Sequence, residues 1–199
     1  MGIGRNHPLR RLFAELVERH YYQDVMVRDA RVAAYVANLL TDFTHTENLY
    51  RIRDAQGRRL DDVGEMLLES DPLGPVGSFE RERLVRKHIG DYTLFLTGIF
   101  PESVAARRQR RAFPRLDLLL DYVKAGKESY AIVSSFDQFE YEREAPLFRR
   151  LSECFELCAY GLNLVRQDLE RFQQEYYQRL AATLRGGPAG PVRDAENLT

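Results

Sequence analysis

The sequence lacks the apolar segments that mark membrane and secreted proteins. No segment reaches the roughly 18 consecutive apolar residues of a membrane-spanning helix. The N-terminus has no continuous apolar stretch of the kind found in secretory signals, and Asn6 stands where a myristoylation motif has Ser or Thr. These absences predict a cytoplasmic protein without a membrane span.

Cysteine is scarce, and its two occurrences lie close together. Cys154 and Cys158 are four residues apart in a segment with helical periodicity. Their Cα–Cβ bonds should therefore run nearly parallel, which disfavours a disulfide. We predict two free thiols that serve as small core side chains, in keeping with a reducing compartment.

Neither sign of charge dominates, and lysine is rare. The chain has 29 basic and 30 acidic residues, and three of the basic residues are lysines. Without a global field, the composition disfavours nucleic acid as a partner. The arginine bias is typical of a GC-rich bacterial coding sequence, which reduces the weight of arginine-rich stretches as evidence for binding sites.

The motifs of the common enzyme classes are also absent. The sequence has no Gly-x-Ser-x-Gly nucleophile elbow, no phosphate-binding Walker loop, no dinucleotide fingerprint and no Cys/His zinc spacing. No cofactor is predicted on this basis. The absences favour a non-catalytic protein.

What the sequence does contain is helical periodicity. The length of 199 residues is typical of one domain, and apolar residues recur at spacings of three and four. The pattern predicts an all-α bundle of five or six helices over residues 1–184, with an irregular or hairpin insertion near 46–60 and a flexible tail over 185–199. The apolar stripes lie in residues 8–22, 32–43, 66–68, 84–100, 116–136 and 147–180.

The last stripe predicts an unusually long helix of almost 40 residues. At 1.5 Å per residue it would extend roughly 55 Å, which exceeds the width of a compact domain of this size. Its C-terminal half should therefore project, bend or find a partner. We predict that this helix binds a protein partner or forms a homodimer.

Two pairs of acidic and imidazole residues could bind a divalent metal. Asp42 with His45, and His88 with Asp91, lie three residues apart on helices and so share a face. Helical-bundle metal sites use similar pairs with additional carboxylates. The favoured alternative is that His88 and Asp91 face the core as a polar pair, bonded to each other or to a Tyr hydroxyl. Candidates for the additional carboxylates are Glu15, Glu18, Glu153 and Glu156.

Two further features could carry function. Lys127 interrupts an apolar stripe, so it is a candidate catalytic amine partnered by Asp91, or else a lysine that extends to the surface. An arginine run could hold an anionic partner through bidentate guanidinium contacts, or else form a solvated turn. The residues of this run are Arg107, Arg108, Arg110 and Arg111.

Three functional hypotheses follow. The first, which the missing catalytic motifs favour, is a non-catalytic interaction or scaffold module. The second is a metal-dependent helical-bundle enzyme that uses the Asp/His/Glu set. The third is an accessory protein that docks an anionic partner through the arginine run.

Overall fold

A computed structural model describes residues 7–74, 77–104, 118–172 and 175–186. Within these ranges the protein is all-α and contains no β-strand. Eight helices in the described ranges have seven or more residues, so the prediction of five or six was too low. None of the helices in these ranges is long and apolar enough to cross a membrane.

The helices of the first half begin where capping residues predict. Helix α1 (Pro8–Gln23) has Pro8 in its first turn, and α2 (Ala30–Phe43) is capped by Asp29, whose carboxylate accepts from two backbone N–H groups. A four-residue helix α3 (Thr46–Leu49) follows. Asp62 caps α4 (Val63–Glu69), and Ser78 caps α5 (Phe79–Ile99). Asp, Asn, Ser and Thr are the residues favoured at such positions.

The predicted insertion after α2 is mainly irregular. It contains α3 and a turn in which Asp54 accepts hydrogen bonds from the backbone N–H groups of Gln56 and Arg58. Gly57 adopts a φ of 83°, which favours glycine at this turn. One isolated antiparallel bridge joins Arg53 to Arg59, so the strand pairing of the predicted hairpin is limited to a single residue pair.

The second half corrects the prediction of one long C-terminal helix. Helix α6 (Leu118–Ser135) is followed by three helices in place of one: α7 (Ala145–Glu153), α8 (Phe155–Arg171) and α9 (Glu175–Gly186). The break between α7 and α8 lies at Cys154, whose ψ of 24° departs from the helical value near −42°. The bend keeps the apolar row against the core. On a straight helix the same row would extend away from the core.

The centre of the core is α5, in which every residue from His88 to Ile99 is buried. Close helix approach depends on glycine here. A Cβ atom on Gly90 would lie 2.5 Å from the Tyr130 ring, and one on Gly126 would lie 2.5 Å from the Phe155 ring. Both positions therefore require glycine for close packing of α5, α6 and α8.

Both cysteines are buried free thiols, as predicted. Their Sγ atoms lie 3.5 Å apart. Helix α9 extends to Gly186, two residues into the predicted tail, and residues 187–199 lie outside the described ranges.

Candidate functional site

Asp91 is a buried carboxylate that accepts hydrogen bonds from three elements. Its Oδ1 accepts from the hydroxyls of Tyr35 on α2 (2.5 Å) and Tyr130 on α6 (2.9 Å). Its Oδ2 accepts from the Lys87 ammonium at 2.9 Å, and an Arg51 Nη2 lies 3.6 Å away. Every oxygen is therefore satisfied, as a buried charge requires. We call these five residues the Asp91 network.

The network fixes the ionisation states of its members. Burial acts to raise the pKa of Asp91, but the Lys87 ammonium and the hydrogen bonds from Tyr35, Lys87 and Tyr130 outweigh burial and hold that pKa below its usual value. Burial and the Asp91 charge raise the pKa of both tyrosines well above the usual value. The carboxylate is thus ionised while both phenols remain neutral donors.

His88 lies beside this network and is held neutral. Its Nδ1 accepts a hydrogen bond from the Arg51 Nε at 3.0 Å, so the neutral ring carries its proton on Nε2. Burial, and then the Arg51 charge, lower the pKa of His88 from 6.5 to about 3. The Nε2 atom is buried and makes no hydrogen bond within the described residues. The rings of Phe43 and Tyr92 flank the imidazole at centroid distances of 6.1 and 5.9 Å.

A cleft of about 200 Å³ opens next to the Asp91 network, between α2, the segment after it and α5. One wall presents the two cations of the network to solvent, since 45% of the Arg51 side chain and 30% of the Lys87 side chain are exposed. The polar lining consists of Asn38, Asp42, Asn48, Arg51, Lys87 and Asp91.

The four residues proposed as metal ligands are divided between two environments. His88 and Asp91 are both buried, but they do not bond each other. His88 accepts a hydrogen bond from Arg51, whereas Asp91 accepts hydrogen bonds from two Tyr hydroxyls and from Lys87. Asp42 lies exposed at the rim of the cleft, and His45 is exposed beyond it. No group of three or more His, Cys, Asp or Glu residues in the described ranges is placed to hold a metal ion.

Lys127 is not the partner of Asp91. Its Nζ donates to Glu156 at 2.6 Å, and both side chains are partly exposed. Lys87 occupies the position next to Asp91 that sequence reasoning assigned to Lys127. The spacing of four residues between Lys87 and Asp91 on one helix is a signal that could have identified this pair.

The arginine run, which consists of Arg107, Arg108, Arg110 and Arg111, lies outside the described ranges. The hypothesis that it docks an anionic partner therefore stays a prediction.

A second candidate site is the solvent side of α8. Here Leu157 and Tyr160 are 48% and 57% exposed, although the opposite side of the helix is buried in the core. Spacings of three and four place these residues on one face, which we call the outer face of α8. Its members are Leu157, Tyr160, Leu164, Gln167 and Arg171.

A polar groove of about 430 Å³ runs beside the outer face, between α1 and α8. His20 spans it, with Nδ1 2.6 Å from an Asp24 oxygen and Nε2 3.0 Å from an Asp168 oxygen. Arg19 and Arg171 also pair with Asp168. The contacts of His20 and Arg19 with Asp168 join α1 to α8 beside the outer face.

Comparison of the chain with models of known protein families, with curated proteins and with solved structures finds no match.

Proposed function

We propose that this protein is a non-catalytic interaction module that pairs with a second copy of itself through the outer face of α8. The observation that carries the proposal is the pair of exposed apolar side chains, Leu157 and Tyr160, on a helix whose opposite side is buried in the core. Large exposed aromatic and aliphatic side chains in one row are typical of protein contact sites. Tyr160 is the anchor of this row, because tyrosine is enriched among residues that dominate binding energy.

The chemistry of the Asp91 network supports a non-catalytic role. A general acid or base needs a protonation state that changes near the working pH. Asp91 is ionised and fully bonded, Tyr35 and Tyr130 are neutral donors to it, and His88 has a pKa of about 3. These groups stabilise one another and none is poised to exchange a proton with a substrate.

Charge favours a second copy as the partner. Glu153 is 57% exposed just before the N-terminal end of α8, and Arg171 is 74% exposed at its C-terminal end. A two-fold axis through the middle of the helix pairs the two α8 helices antiparallel. Glu153 of each copy then lies near Arg171 of the other, so these two charges are complementary across the pair.

The bend at Cys154 changes how the predicted homodimer forms. The C-terminal half of the long helix was expected to project, bend or find a partner; the helix is instead broken at Cys154, and the apolar row that includes Leu151, Phe155 and Leu162 is buried in this chain's own core. Pairing therefore uses the opposite side of the helix, and it requires no segment to leave the domain.

Sedimentation equilibrium tests the proposal. We expect twice the 23.2 kDa chain mass for the parent and a monomer for Tyr160→Asp. Loss of an anchor of about 2 kcal/mol in each of two copies should weaken dimerisation roughly a thousandfold. Phe79→Asp is the matched control, since Phe79 is 72% exposed on α5. A parent that sediments as a monomer throughout the micromolar range, or a Tyr160→Asp dimer, would contradict the proposal.

A further inference from the structure

The cleft beside the Asp91 network carries a second inference, independent of the outer face of α8. Its lining carries two cations, Lys87 and Arg51, and two carboxylates, Asp42 and Asp91. The two cations stand together on the wall beside the Asp91 network, where both are partly exposed, whereas Asp91 is buried and Asp42 lies at the rim. Positive charge and unused donors in a concave site are what an anion requires.

The wall has more hydrogen-bond donors than the Asp91 network uses. Arg51 gives its Nε–H to His88, and Lys87 gives one of its three N–H bonds to Asp91. The terminal guanidinium nitrogens of Arg51 and the remaining ammonium protons of Lys87 lie at a wall open to solvent. The Asn38 Oδ1 accepts a hydrogen bond from Arg10. This bond leaves the Asn38 amide N–H₂ as a further donor.

The wall is preorganised because its cations are fixed from behind. Lys87 is held by Asp91 at 2.9 Å and lies over the Tyr35 ring at 5.1 Å. Arg51 is held by His88 and by the Asp91 carboxylate. A ligand that enters therefore pays little of the side-chain ordering cost that usually opposes binding.

We propose that this cleft binds a small oxyanion, a carboxylate or a phosphate group, through Arg51 and Lys87. The planar guanidinium offers a bidentate fork and the ammonium adds a point charge, so two oxygens of one ligand are engaged together. A volume of about 200 Å³ is sufficient for a carboxylate or a phosphate group. Asp42, exposed at the rim, opposes the anion and limits its affinity.

Isothermal titration at constant ionic strength tests the site, with inorganic phosphate and acetate as separate probes. We expect saturable binding of at least one probe with one site per chain. Tighter phosphate binding identifies a phosphoryl ligand, and tighter acetate binding identifies a carboxylate. Absence of saturable binding for both probes would overturn the proposal.

Three variants locate the site. Arg51→Gln should weaken binding about tenfold, the equivalent of one charge-assisted hydrogen bond, while Asp42→Asn should tighten it. Arg58→Gln is the matched control, because Arg58 is an arginine of the same segment that pairs with Asp54 and Glu65 away from the cleft. Equal losses in Arg51→Gln and Arg58→Gln would show nonspecific attraction and refute the site. Circular dichroism of each variant confirms that the fold is retained.

Discussion

The buried, neutral state of His88 predicts that acid destabilises this protein through one residue. In the unfolded chain the imidazole takes up a proton at its ordinary pKa of 6.5, whereas burial and the Arg51 charge lower the folded pKa to about 3. Between these values the unfolded state binds more protons. The free energy of unfolding therefore falls as the pH falls from 6.5 toward 3, and His88 imposes no such penalty above pH 6.5.

The size of this effect follows from the pKa difference. Each pKa unit corresponds to about 1.36 kcal/mol, so between about pH 7 and about pH 4.5 His88 alone should remove about 2.5 kcal/mol of stability. The charged groups that face the ring support this direction, since Arg51 and Lys87 disfavour an imidazolium and only Asp91 favours it.

Urea unfolding of the parent and of His88→Gln at both pH values measures the effect. The glutamine carbonyl oxygen keeps an acceptor for the Arg51 Nε–H but does not titrate. Subtracting the two pH dependences cancels the shared carboxylates and should leave about 2.5 kcal/mol. His45→Gln is the control, because it removes an exposed histidine and leaves the buried His88 in place. Parallel pH dependences for the parent and His88→Gln would refute the buried neutral state.

Two further substitutions test packing and surface contacts. Gly126→Ala should lower stability by about 1 to 3 kcal/mol in thermal unfolding, because its Cβ would overlap the Phe155 ring, whereas Lys124→Ala on the same helix should change it by less than about 0.5 kcal/mol. Lys127→Ala breaks an exposed ion pair and should cost at most about 1 kcal/mol in urea unfolding; a loss of several kcal/mol would mean that Lys127 is buried.

The helix starts could be predicted from the sequence because they depend on neighbouring residues. Asp29, Asp62 and Ser78 each cap a helix with a side chain two or three residues from the N–H group it accepts from. The break at Cys154 could not be predicted, because the apolar row continues through it and periodicity alone does not indicate a change in ψ. Three helices therefore looked like one.

The interior position of His88 and Asp91 was predicted from their helical row, although Leu84, in the same row, is 50% exposed. A Tyr hydroxyl was predicted as a partner of this pair, but the identity of the tyrosines that reach Asp91 could not be predicted from local spacing. Tyr35 and Tyr130 are 56 and 39 residues away in sequence, and only the packing of α2 and α6 on α5 brings their hydroxyls to the carboxylate. Long-range contacts of this kind leave no spacing signal in one sequence.

A charge swap measured by sedimentation equilibrium tests the pairing of two copies most directly. Glu153→Arg and Arg171→Glu should each weaken the dimer, because each places like charges together at both ends of an antiparallel α8 pair. The double variant restores opposite charges and should recover the dimer. If the loss of dimerisation free energy in the double variant equals the sum of the losses in the two single variants, with helical content unchanged, pairing through the outer face of α8 would be contradicted.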